Sequence, residues 1–216
     1  MATAERATQG RREQILEATL RVIGREGRAA VTHRAVAEEA GVPLGSTTYY
    51  FDSRDDLLGQ ALEHVAAQEV ERYASLGEQM RTVKSGHELA DRLISQLVAA
   101  AEDRVAYIAE YELWLEAGRR PDLREAAQSW CDAEQRSVEG ALEALGSSDP
   151  AADASLVVAA LDGLGERLLA REDDPAAAAK EVQPELRRLI DRLIGTASPS
   201  DRGDKRPPGG RAAAPK

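Results

Sequence analysis

Apolar residues recur along this chain with the spacing of helices rather than strands. Ile15, Leu16, Thr19, Val22 and Ile23 share one face of a helix predicted over 11–25, and Gly27 follows as its stop. Thr32 caps a second, short helix that carries Arg34, Val36, Ala37 and Ala40 and ends at Gly41. Val42 and Pro43 lead into a third short helix over 44–50, closed by Phe51 and Asp52. Ser53-Arg54-Asp55-Asp56 ahead of Leu57-Leu58 has the serine-x-x-acid form of a helix start, with two carboxylates where the helix dipole favours them. The helix it opens runs through Leu62, Val65 and Val70 toward Tyr73 and Leu76, a length that suits a connecting rod. Further helices are predicted near 87–101, 103–118, 121–145, 151–171 and 176–195, broken at Gly118, Pro121, Gly146, Pro150 and Pro175, with Pro184 splitting the last. The pattern predicts an all-α chain of about nine helices and no internal repeat.

Residues 1–10 carry no apolar periodicity and are expected to form a disordered arm. Three small helices fill 11–54, a longer helical part follows over 55–195, and 196–216, where glycine, proline, alanine and charge replace any apolar pattern, is expected to be a disordered tail. Composition agrees with helix: alanine, leucine, glutamate and arginine dominate, and these give up little entropy on entering one. The single cysteine excludes an intramolecular disulfide, and with three scattered histidines it makes no zinc pattern, so neither metal nor cofactor is expected. The longest apolar run, Leu156 to Leu161, falls far short of the ~20 residues that cross a bilayer. No membrane span is expected, and the first twelve residues show no secretory h-region, so a cytoplasmic location is the expectation. A net charge of −10 argues against nucleic acid as a partner until it is mapped along the chain. Residues 1–54 carry +1, residues 55–195 carry −14 and residues 196–216 carry +3. A near-neutral head on an acidic body is compatible with a DNA reader, which needs only a local basic face.

The stretch 31–51, VTHRAVAEEAGVPLGSTTYYF, supports the sharpest inference. A helix-turn-helix needs small residues where two short helices cross and a glycine where the turn takes positive φ. Ala37, Ala40 and Gly41 supply them, while Val31, Val36, Val42 and Phe51 are spaced to anchor both helices on the first. The third helix is left with Ser46, Thr47, Thr48, Tyr49 and Tyr50, side chains suited to phosphates and base edges.

With the Ile15-Leu16 helix, Gly27, Val31-Thr32, Val36-Ala37, Ala40-Gly41-Val42, Gly45, Tyr50-Phe51 and Ser53-Arg54 before Leu57-Leu58, the chain resembles the tetracycline-repressor (TetR) family of bacterial transcription regulators over roughly residues 11–65. The resemblance implies that the third helix lies in the major groove of double-stranded DNA, that Thr32, His33 and Arg34 begin the second helix beside the backbone, and that Arg54 grips a phosphate. It therefore implies a DNA-contacting set of Thr32, His33, Arg34, Leu44, Gly45, Ser46, Thr47, Thr48, Tyr49, Tyr50 and Arg54. Two departures stand out: Thr47-Thr48 replaces the family's frequent leucine-tyrosine pair, and Pro43-Leu44 replaces a serine with a basic or small residue. Alternatives remain open at single positions. Tyr50 and Tyr49 also suit packing on neighbouring helices, Arg34 also suits a solvated surface, and Arg6, Arg11 and Arg12 suit either an arm on a neighbouring groove or a plain solvated terminus.

In the body, Tyr107, Tyr111 and Trp114 fall on one helical stripe and Trp130 on the next helix, so half of the eight aromatics lie within 24 residues. The stripe reads either as plain core or as the wall of a ligand cavity, and Glu110, Glu112 and Glu116 beside it read either as a solvated face or as partners for a cationic ligand. Cys131 lacks an activating base in its sequence surroundings and reads as a structural thiol. Leu161-Asp162-Gly163-Leu164-Gly165 has no preceding strand to make a phosphate cradle and reads as close helix packing. The last two helices are richer in apolar residues than one small bundle needs. By the resemblance they pair with a second copy in a four-helix bundle through Leu156, Ala160, Gly163, Leu164, Leu186, Leu189, Ile190 and Leu193.

The expectation is a homodimeric regulator, most simply a repressor, with a small-molecule effector of unknown identity, no membrane partner and no catalytic residues. The alternative is an all-helical small-molecule-binding protein or enzyme with a vestigial helix-turn-helix head.

Overall fold

A computed structural model describes the backbone of residues 2–170 and 174–195, with side chains from Thr8 onward. The segment 196–216, expected as a tail, lies outside the described residues, as does the side chain of Arg6. Every regular element among the described residues is helical, as the periodicity implies.

The first helix, α1 (Ala2–Glu26), starts well before its apolar stripe, so the backbone expected as an arm is helical. Alanine, glutamate, arginine and glutamine propagate a helix without a buried face to require it. Gly27 stops it at φ 79°, a value that favours glycine, and a 3₁₀ turn at Arg28–Ala30 leads on. The Thr32 hydroxyl oxygen accepts the Ala35 N–H at 3.1 Å and starts α2 (His33–Ala40), which Gly41 ends in the left-handed conformation at φ 64°. α3 (Leu44–Tyr50) follows Pro43 directly. Ser53 then caps α4 (Arg54–Met80) by accepting the Asp56 N–H at 3.1 Å. With 27 residues α4 is about 40 Å long, and it outruns the predicted end because Leu76 and Met80 extend its buried stripe.

The remaining helices are α5 (Gly86–Glu102), α6 (Arg104–Ala117), α7 (Arg124–Ala144), α8 (Pro150–Ala170) and α9 (Pro175–Gly195), with a second 3₁₀ turn at Pro121–Leu123 before α7. α9 passes through Pro184 without the expected split: the residue sits on the exposed side of the helix, where a lost backbone bond is made up by water. Among the described residues no helix is long and apolar enough to cross a membrane.

Two apolar clusters hold most of the chain. In the first, Ile15, Leu16, Val22 and Ile23 of α1 gather Val31, Val36, Val42 and Phe51, and the same cluster continues into Leu57 and Leu58 of α4, Leu113 of α6 and Trp130 of α7. The second packs Met80, Leu89, Leu93, Val138, Leu142 and Val157 against Leu186 and Ile190 of α9. Leu186 and Ile190 are 2% and 0% exposed within the single chain. They face α5 and α8 of the same chain, which corrects their expected place on a surface offered to a second copy.

Candidate functional site

The helix-turn-helix presents a graded surface. Tyr49 is 78% exposed and Leu44 50% exposed, and Thr32, Arg34, Gly45 and Thr48 are exposed beside them. Ser46 and Tyr50 are half-buried: the Tyr50 ring packs on the first cluster and meets Tyr49 edge to face at 4.9 Å, so it combines the two roles left open for it. With Thr8 and Arg11 of α1 and Pro43, the α3 residues Gly45, Ser46, Tyr49 and Tyr50 line an open groove of about 470 Å³. Arg12 turns inward instead, donating to Gln60 at 2.5 Å and lying over Phe51.

One expected DNA contact is turned inward. Thr47 is fully buried and its hydroxyl donates to the Leu44 carbonyl at 2.8 Å and lies 3.3 Å from the His33 carbonyl, so it pins α3 to the start of α2. Arg54 donates to the Val31 carbonyl at 3.0 Å and the Arg28 carbonyl at 2.7 Å, closing the chain between α1 and α2, while its side chain stays 41% exposed. A seven-residue helix turns each of its side chains through about 100°, so one of two adjacent threonines must face in. His33 is half-buried, with Nδ1 enclosed and unpartnered.

The head is bound to the body through α6. Gly24 of α1 lies against the backbone of Val105 so closely that a methyl group there would sit 1.9 Å from the Val105 carbonyl oxygen. At the other end of α6, Glu116 takes the Arg28 guanidinium at 2.5 Å with only 8% of the residue exposed. Arg120 just beyond donates to the Asp55 carbonyl at 2.8 Å, at the start of α4.

Between α4, α5, α6, α7 and α8 lies a cavity of about 840 Å³. All four aromatics singled out from the sequence, Tyr107, Tyr111, Trp114 and Trp130, line it. Tyr107 and Tyr111 meet edge to face at 5.2 Å, and Trp114 and Trp130 at 5.8 Å. Gly165 of α8 makes room for this wall, since a methyl group on it would fall 2.0 Å from the Tyr107 hydroxyl oxygen; the close packing read from Leu161–Gly165 is realised there. The Tyr111 hydroxyl donates to the Asp162 carbonyl at 3.3 Å.

Carboxylates share the cavity: Glu110 from α6, Glu134 from α7, and Asp162 and Glu166 from α8. Burial pushes Glu110 up to about 8, assisted by the negative charges of Glu69, Asp103 and Glu134. Burial also raises Glu134 to about 7 with help from Asp162, while the Tyr73 hydroxyl and Arg72 pull the other way. Asp162 is raised by burial and by Glu166. Burial and the charges of Glu134 and Asp162 raise the Cys131 thiol, which keeps it protonated and unreactive despite its place in the wall. The guanidinium in the lining, Arg72, grips Glu69 and stacks 4.3 Å from the Tyr73 ring. Of the glutamates flanking the aromatic stripe, Glu110 faces the cavity and Glu116 faces Arg28. Glu134, Asp162, Glu166 and Arg72 carry no sequence signal of their own, because which face of α7, α8 or α4 looks inward is decided by packing.

On the outer side of α8, Leu156 is 55% exposed and Gly163 is exposed, with Ala160 and Leu164 half-buried beside them. Leu189 and Leu193 of α9 are half-buried as well.

Known proteins share this arrangement. The family profile of bacterial regulatory proteins, tetR family, matches residues 15–61, and that of the tetracyclin repressor-like C-terminal domain matches residues 84–196. The multidrug binding protein EbrR, solved with imidazole, is 33% identical over 88% of this chain and 98% of its own, with a TM-score of 0.63; solved with ethidium, it gives 35% identity over 85% and 98%, with a TM-score of 0.60. Among curated relatives, the transcriptional regulator PksA of Bacillus subtilis is 32% identical over 48% of each chain. The nicotine-responsive repressor HdnoR of Paenarthrobacter nicotinovorans is 28% identical over 53% of this chain and 58% of its own. The chain thus spans about half the length of the curated relatives it matches. With profiles covering both the head and the C-terminal helices, and a solved relative a third identical along nearly its whole length, the chain belongs to the TetR family of bacterial transcriptional regulators.

Proposed function

We propose that the chain acts as a homodimeric, ligand-responsive repressor that binds a near-palindromic operator through the helix-turn-helix at 32–51 and leaves it when an organic cation enters the cavity among α4 to α8. The observation that carries this reading is the composition of that cavity: aromatic rings and carboxylates line one volume, a combination that favours a flat cation by ring quadrupole and charge together. EbrR has been solved with ethidium, proflavin and malachite green, and HdnoR is named for its response to nicotine, which supports the same ligand class here.

The exposed stripe of α8 around Leu156, with Ala160, Gly163 and Leu164, supplies the face for a second copy, joined by Leu189 and Leu193 of α9. A two-fold pair sets two recognition helices on one side of the duplex, one per half-site, in a cytoplasmic protein. Exposed Tyr49, Thr48, Arg34, Thr32, Gly45 and Leu44, with Ser46, Tyr50 and His33 at the edge, form the reading surface. Because α6 lines the cavity on one edge and meets α1 on the other, a ligand that prefers a displaced α6 draws the population away from the DNA-competent spacing, by no more than its difference in affinity for the two states.

Gel retardation of DNA flanking the protein's own gene tests the reading. The expected result is salt-sensitive retention of one fragment, abolished by Arg34→Ala with Tyr49→Ala while the dimer persists, and reversed by tetraphenylphosphonium, a cation that does not intercalate. Retention of every fragment alike, or of none, overturns it.

A further inference from the structure

The carboxylates of the cavity outnumber anything that neutralises them. Glu110, Glu134, Asp162 and Glu166 converge from three helices on one volume. From α4 they meet Glu69, Arg72 and Tyr73, but the Arg72 guanidinium is closed on Glu69 and stacked on Tyr73. Among the described residues, no lysine or arginine comes within ion-pair distance of Glu110 or Glu134. α5 offers Gln96, which does not titrate. On α6 itself the neighbours are Asp103, a further negative charge, and Tyr107 and Tyr111, both kept neutral by burial. α7 adds the Cys131 thiol, raised by burial, and α1 meets α6 on its opposite edge at Gly24, with Arg28 of the following turn at Glu116. Like charges gathered in a cavity walled by rings and leucines suppress one another's ionisation, and an arriving cation restores it.

We propose that the cavity takes up its organic cation in exchange for protons: Glu110 and Glu134 each hold a proton in the ligand-free protein and give it to solvent as the positive charge settles between them. On each side chain the carboxyl O–H bond breaks, the proton passes to water or buffer, and the carboxylate left behind balances the incoming charge. The exchange rests on the reading of this cavity as the site of a cationic effector. It adds a property that reading does not contain, namely that the protein's sensitivity to its effector is set by pH. It also leaves Glu110 and Glu134 uncharged in the empty cavity, so that a neutral molecule of the same shape gains no charge interaction from either glutamate.

Ethidium is a suitable probe, because its ring charge does not titrate between pH 6 and pH 9. The full chain is titrated with ethidium by calorimetry across that range, without DNA, and at pH 7 in phosphate and in Tris. Affinity is expected to rise about tenfold or more from pH 6 to pH 7 and to level off above pH 8.5, since each proton released contributes about tenfold per pH unit below its own titration. The heats in the two buffers are expected to differ by the ionisation heat of the buffer times the protons released. Glu110→Gln and Glu134→Gln are each expected to lower the pH slope by up to one proton while ethidium still binds at pH 6. Binding with equal affinity at pH 6 and pH 9 and equal heats in both buffers overturns the exchange and leaves the effector site standing. Failure of ethidium to bind at any pH overturns both. The buffer comparison uses the unaltered protein, so the outcome does not depend on how the variants fold.

Discussion

Gly24→Ala puts a methyl group into the tightest contact between the head and the body. It would lie 1.9 Å from the Val105 carbonyl oxygen, 2.7 Å from the carbonyl carbon and 2.8 Å from Cγ1 of the same residue. Two of these three atoms are backbone in the first turn of α6, so no rotamer change relieves the clash. Ordinary contact at about 3.4 Å requires α1 and α6 to part by roughly 1.5 Å. Overpacking of this kind costs about 1–3 kcal/mol, offset by about 1 kcal/mol from the better helix propensity of alanine. A 1.9 Å approach to backbone belongs in the upper half of that range, about 2–3 kcal/mol, so the net loss is about 1–2 kcal/mol and lowers the melting temperature by roughly 2–8 °C in a chain of this size. Gly10→Ala is the matched control: it lies in the same helix with nothing within 4 Å of the added methyl, and it is expected to be neutral or up to about 1 kcal/mol stabilising. Thermal melts of both variants, followed by ethidium titration of each, give the comparison. Because α6 also carries Tyr107, Glu110, Tyr111 and Trp114, Gly24→Ala is expected to change ethidium affinity although it touches no cavity residue. A Gly24→Ala protein that melts at or above the parent temperature with unchanged ethidium affinity refutes the argument that this contact couples the two regions.

Other expectations follow from the same geometry. Tyr49→Ala, at a position 78% exposed, is expected to weaken DNA retention with an unchanged melt, whereas Thr47→Ala removes a buried hydroxyl that fastens α3 and is expected to cost about 1 kcal/mol of stability; a melt that responds to Tyr49 and not to Thr47 refutes this assignment of faces. Gly165→Ala drives a methyl into the Tyr107 hydroxyl and is expected to displace that ring and weaken ethidium binding several-fold, read by fluorescence titration. Stability should also depend on pH. Glu110 titrates near 8 and Glu134 near 7 in the folded chain, above the value of about 4.3 expected unfolded, so the folded state binds more protons in the interval. Their contribution is fully present below about pH 4.3 and is lost as pH rises through 7 and 8. The ligand-free protein is therefore expected to lose up to about 4 kcal/mol between pH 6 and pH 9, and Glu110→Gln to flatten that decline; a melting temperature independent of pH in both proteins refutes the placement of these carboxyls.

The helix-turn-helix was legible because its constraints are local. Thr32 and Ser53 cap where a hydroxyl must accept an N–H, and Gly27 and Gly41 stand where φ is positive. The four aromatics of the cavity were legible as a stripe, but whether they enclosed space or filled it depends on Gly165 and on partners half the chain away. The structural duty of Arg54 was not legible, because an arginine at a helix start serves a phosphate and a nearby carbonyl equally well, and the carbonyls of Arg28 and Val31 come within reach only when the chain turns at Gly27. Leu186 and Ile190 show the same limit. Periodicity identifies an apolar face and leaves open which molecule covers it.

The double duty of α6 bears on how such a protein can acquire a new ligand. On the function proposed above, substitutions on its inner edge, at Tyr107, Glu110 or Trp114, alter the chemistry of recognition and also the seat of the helix against α1, so a change in the compounds bound there is expected to shift DNA binding in the absence of ligand as well. The wall contributed by Asp162 and Glu166 on α8 stands outside the apolar cluster that joins the head to α4, α6 and α7. Variation confined to that wall can retune selectivity while the unliganded set point stays where it was, which makes it the side from which a biosensor is best diversified.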